Sequence, residues 1–251
     1  MMNNTNPIFS KVQRDTKDIV GYGASYRGIL LKTFGLFGVL ILSAVGSLFL
    51  LASFPQLYVG LLITSIIMAF ISVVVASSST RLAPTFSVIY SVCEGVTLGL
   101  LSLIYAAAFP GSNIIFLALI ITFGIFAGML ILYSTKLIVV TSRFRRVMLG
   151  ISFALLATML LTLIVSFFDG GQLRFMLFGD VNSPLVLFIA LLLILYGAFM
   201  LVMSFDNAKL IVSSGVDKKY EWQVGLGLIV STVYIYVQVL RLLAILLSRK
   251  E

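Results

Sequence analysis

Seven apolar runs, at about 30–54, 58–77, 85–108, 114–135, 147–168, 184–206 and 224–247, constrain this chain more than any motif does. Each reaches or exceeds the roughly 20 residues a helix needs to cross a hydrocarbon core ~30 Å thick. The runs are continuously apolar instead of alternating at every second residue, so helices are expected and a barrel is not. The expected fold is all-α, a membrane protein of seven transmembrane helices behind a polar tail of residues 1–29. That tail is too charged for a secretory signal peptide and reads as cytosolic.

The rest of the composition narrows the chemistry. Only 10% of the 251 residues are charged, too few to cover a soluble domain of this size. There is no histidine and a single cysteine, Cys93, which excludes an internal disulfide and a Cys/His zinc centre. No metal centre, no cofactor and no nucleophile–base arrangement is read from the sequence, and an enzyme is not expected. A retinal-type photoreceptor is unsupported as well, because the apolar half of span seven has no lysine for a Schiff base.

An excess of 17 Lys and Arg over 9 Asp and Glu raises the question of nucleic acid. The basic residues instead sit in short clusters between apolar runs, as in cytoplasmic loops, so membrane lipids are expected as partners and nucleic acid is not. With the N-terminus inside, Lys11, Arg14, Lys17, Arg27, Lys32, Arg81, Lys136, Arg143, Arg145, Arg146, Lys209, Lys218 and Lys219 fall on the cytoplasmic side. Only Arg174, Arg249 and Lys250 fall outside, with Arg241 inside span seven. The positive-inside bias therefore favours a multi-pass cell-membrane protein with a cytoplasmic N-terminus and an external C-terminus.

Asp15, Asp18, Asp169, Asp180, Asp217, Glu221 and Glu251 are assigned to tails or loops, which leaves Glu94 and Asp206. Glu94, in "SVCEGVTLGLLS", lies about nine residues into span three, roughly 14 Å deep. An acid there must be protonated, paired or facing water, so it points into the bundle as a helix-bonding acid or as part of an ion or proton path. Gly95 and Gly99 would let another helix approach closely. Asp206, in "LVMSFDNAKL", is either an interfacial acid or, if its helix runs on to about Ser213, an inward-facing one nearly two turns from the end. In span seven, "STVYIYVQVLRLLAILL" carries Gln238 in apolar surroundings and Arg241 one turn later, as a snorkelling cation or a carboxylate's partner.

Seven spans, a basic tail containing "NPIF", "EG" in span three, "D-N-x-x-L" closing span six and "Y-V-Q-V-L-R-L-L" in span seven together resemble the Bax inhibitor-1 family, with bacterial YccA/YetJ-like members as the nearest comparison. The resemblance implies a bundle with the seventh helix central, in a bacterial inner membrane. It implies a pH-sensitive calcium leak, in which aspartates of spans six and seven share a proton beside a cytosol-side gate. Two close carboxylates cannot readily both be charged in a low-dielectric site, which is why such a pair senses pH. By position, Asp206 matches the first aspartate and Gln238 stands in place of the second, where it can share a hydrogen bond but not a proton in the same way. For the two to be level, span seven must begin near residue 230. Glu94 is an alternative second carboxylate, and Arg241 or Arg81 are alternative gate or charge partners of Asp206. Expected ligands are calcium or another cation, and protons. A second role the resemblance implies is restraint of a membrane-embedded protease.

Overall fold

The computed structural model describes residues 23–180 and 182–249; the "NPIF" segment and most of the basic tail lie outside the described residues. Among the described residues there are seven long helices and no strands, only an isolated bridge between Gly23 and Asp217. The helices are α1 (Tyr26–Ser53), α2 (Tyr58–Ser78), α3 (Ala83–Ala108), α4 (Ile114–Ser134), α5 (Ser142–Asp169), α6 (Pro184–Ser213) and α7 (Tyr220–Ser248). All seven are long and apolar enough to cross a membrane. Helix is the natural form for such runs, because each peptide group finds its partner within its own segment when lipid offers none.

Several helices overrun their apolar cores. Hydropathy marks the stretch suited to hydrocarbon, whereas caps and turns set the ends. α1 starts at Tyr26 because Ser25 caps it, its hydroxyl accepting from the Gly28 N–H at 3.0 Å. Thr141 caps α5 in the same way, accepting from Phe144 at 3.1 Å. α6 continues through the Asp206 region to Ser213, and Gly215, with φ +62°, makes the turn that follows. α7 begins at Tyr220, ten residues before the start that would bring Gln238 level with Asp206.

The chain divides into two compact units, one running up to Gly99 together with Asn207–Gly227, the other comprising Leu100–Asp206 and the residues from Leu228 on. In the first, α1 and α3 are in close contact: a methyl group on Gly95 would strike the Leu40 carbonyl, and one on Gly99 the Ala44 carbonyl, at 2.6 Å for the latter. α2 joins α3 through a 2.9 Å hydrogen bond between Ser65 and Thr97. In the second, Val186 and Ala190 of α6 pack on Ile245 of α7, fully buried. Burial sorts the helices by role. The apolar window of α7 is 56% buried and that of α5 only 11%, and exposed Phe153, Phe167 and Phe168 on α5 suit a lipid-facing surface.

Candidate functional site: a carboxylate held by arginine and tyrosine

Asp206 lies nearly two turns inside the end of α6. Tyr133, in the last turn of α4, donates its hydroxyl to Oδ1 at 3.0 Å. Arg145, in the first turn of α5, donates from Nη2 to Oδ2 and forms an ion pair. The two side chains of that pair are 17% and 31% exposed for Asp206 and Arg145, enough desolvation for the contact to matter. Phe205, buried beside the acid, meets Phe126 edge to face at 5.3 Å and lies 6.1 Å from the Tyr133 ring. One carboxylate thus joins the ends of α4, α5 and α6.

Gln238 does not meet it. Ser204 and Ser231 hydrogen-bond at 3.1 Å, and Tyr196 contacts Tyr234 with ring centroids 5.7 Å apart, which sets α6 antiparallel to α7 in a definite register. Gln238 stands seven residues beyond Ser231, while Asp206 stands two residues beyond Ser204 in the opposite direction. At ~1.5 Å of rise per residue, they are offset by roughly 13 Å along the bundle. The Asp206–Gln238 pairing implied by the family motif is therefore not made. The Gln238 Oε1 is buried without a hydrogen-bond partner among the described residues.

Arg145 takes the role expected of Arg241 or Arg81. Arg241 donates to the Phe178 carbonyl at 3.1 Å and lies over its ring at 4.8 Å, anchoring the segment that precedes α6. That is the far end of α6 from Asp206, about 33 Å away by helix length. Arg81 is exposed in the turn between α2 and α3 and forms no ion pair among the described residues. Arg145 was legible only as one of a cluster of cytoplasmic-loop cations; nothing in the sequence shows that the start of α5 reaches the end of α6.

Glu94 lies on α3 in the first unit, partly buried, with no hydrogen bond or ion pair among the described residues. The glycines beside it let another helix approach closely, as their spacing allowed, and that helix is α1.

Glu221 is not in a loop, contrary to what its place in the sequence suggests. It lies in the first turn of α7, 2% exposed, the only fully buried charged side chain among the described residues. Its Oε1 accepts from the Ser25 backbone N–H at 2.7 Å and from the Ser25 hydroxyl at 3.3 Å; its Oε2 accepts from Lys32 Nζ at 2.6 Å. Lys32 also donates to the Lys218 carbonyl at 3.0 Å and lies 5.3 Å from the Trp222 ring centre. An acid at the N-terminus of α1 is favoured by that helix's dipole as well as by the lysine. The available signal was Lys32 itself, a cation inside an apolar run that needs a partner.

The sequence matches the family described as Bax inhibitor 1 like over residues 6–248, nearly the whole chain. The chain belongs to the Bax inhibitor-1 family. No curated relative and no solved structure matched significantly.

In this Bax inhibitor-1 protein, then, the acid near the end of span six sits in a carboxylate–guanidinium pair braced by a phenol. The described residues contain no group of three Asp, Glu or Cys side chains that could cage a metal ion. What Asp206 does is hold three helix ends together.

Proposed function

We propose that this Bax inhibitor-1 protein is a cation leak path, passing calcium among other ions, whose closed state is held by the Asp206–Arg145 pair. The reading gives it a transport role and no catalytic one. The observation that carries it is the Asp206 carboxylate, set within an apolar helix and bonded to both Arg145 and Tyr133. An acid in such a span is expensive unless it serves a purpose, and ion or proton handling is the commonest.

The basic loops favour a cytoplasmic N-terminus in a bacterial inner membrane, which puts the pair at the cytosolic ends of α4, α5 and α6. Glu94 and Gln238 are the other polar groups available to a path, in separate units. The absence of a multi-acid cage among the described residues suits an ion that passes and does not lodge, since calcium held by protein takes six to eight oxygens.

The test is calcium entry into liposomes holding the purified protein, from pH 6 to 8. Flux above empty liposomes, faster in Asp206→Asn than in wild type, supports the reading. Flux equal to that of empty liposomes overturns it and turns attention to a membrane partner, a protease among them.

A further inference from the structure

Ser72, Ser87 and Ser91 are wholly buried, and none of their hydroxyls has a hydrogen-bond partner among the described residues. This departs from the habit of the molecule. Thr33, Thr97, Thr122, Ser152, Thr162 and Thr232 each close onto the carbonyl four residues back, as a hydroxyl in an apolar helix ordinarily does. Three unsatisfied hydroxyls in one unit require an explanation.

Their placement supplies one. On α3, at about 100° per residue, Ser87, Ser91 and Glu94 fall within roughly 60° of one another. Gly95 and Gly99, which contact α1, lie on one flank of that face, and Thr97, bonded to Ser65 of α2, lies on the other. Thr85 and Val92, on the opposite side, are exposed. The serine–glutamate face is thus the inner one, between the α1 and α2 contacts. Ser72 joins it from α2: it is seven residues past Ser65, so on the antiparallel α3 it is level with Tyr90 and Ser91. Glu94 keeps partial access on this inner face and has no partner of its own there among the described residues.

We propose that Glu94, Ser91, Ser87 and Ser72 form a binding site for one small monovalent cation, with sodium as its probe. A single carboxylate among neutral hydroxyls balances one positive charge and presents hard oxygen ligands, with water completing the shell. A divalent ion would be left half neutralised. The inference deepens the reading of Glu94 as a polar group on a cation path and rests on it only for the site's part in conduction; binding is tested without flux.

The experiment is thermal unfolding of the purified full-length protein in detergent, followed by Trp222 fluorescence, with sodium exchanged for choline at constant ionic strength. A bound ion raises Tm with its concentration and saturates. Wild type is expected to show that saturable rise with sodium, E94Q to lose it, and S91A or S72A to need about tenfold more sodium for half the effect. T158A, an exposed position in the other unit, leaves it unchanged. A flat wild-type curve, a saturable rise retained by E94Q, or a T158A loss equal to that of E94Q overturns the site. Should E94Q not purify as a folded protein, an unshifted sodium dependence in S91A overturns it equally. Sodium-dependent stability without liposome flux would sink the leak reading and keep the site, while flux with a flat sodium curve would do the reverse.

Discussion

Ser204 and Ser231, hydrogen-bonded at 3.1 Å, fix the register of α6 against α7 and thereby keep Gln238 away from Asp206. Restoring an acid at 238 therefore does not rebuild a proton-sharing pair. In a double-mutant cycle on calcium flux, Asp206→Asn and Gln238→Asp should be additive to within about 0.5 kcal/mol. Coupling well above that would mean the two side chains meet.

The same register leaves the Gln238 Oε1 buried and unpartnered. A buried acceptor without a donor is a net cost, so Gln238→Leu should stabilise the protein by about 1 kcal/mol. Thermal unfolding in detergent measures this, and a fall in Tm would show that Gln238 holds something the geometry does not record.

Gly28 faces Glu221 so closely that a methyl group there would occupy the position of the carboxylate. Gly28→Ala should cost about 1–3 kcal/mol by displacing the acid from Lys32 and Ser25. Gly35→Ala, seven residues on in the same helix and facing open space, is the control and should be neutral or slightly stabilising. Equal effects at the two positions would deny the tight approach.

Removing one partner of the Lys32–Glu221 pair strands the other. Glu221→Gln and Lys32→Met should each cost about 2–4 kcal/mol, with Lys32→Met the more severe of the two, since it strands the buried Glu221 carboxylate whereas Glu221→Gln leaves a partly exposed ammonium. The double variant should lose less than the sum. Strict additivity in chemical unfolding would mean that the pair contributes nothing as a pair.

Much of this molecule was legible as sequence, for physical reasons that differ by feature. Span number followed from run length, because a membrane sets one length scale for every helix. That some helix could approach Gly95 and Gly99 followed from their spacing, but not that it would be α1. Glu94 and Asp206 stood out because an acid in an apolar run is rare. What stayed hidden depended on register and reach. Arg145 sits at a loop edge with three other cations, and only the turn between α4 and α5 brings it, and not Arg143 or Arg146, to Asp206. Glu221 looked solvated because it follows two lysines, yet the N-terminus of α1 folds over it. The motif match that put Gln238 opposite Asp206 aligned letters whose helices are out of step by more than two turns.

If the Asp206–Arg145 pair closes a leak, breaking it opens one. Calcium flux is to be measured at pH 7.5 in liposomes holding wild type, Asp206→Asn, Arg145→Gln or the double variant. Each single variant should leak several-fold faster than wild type, and the double no faster than the faster single. Variants that conduct no faster than wild type, at equal reconstitution, would contradict it.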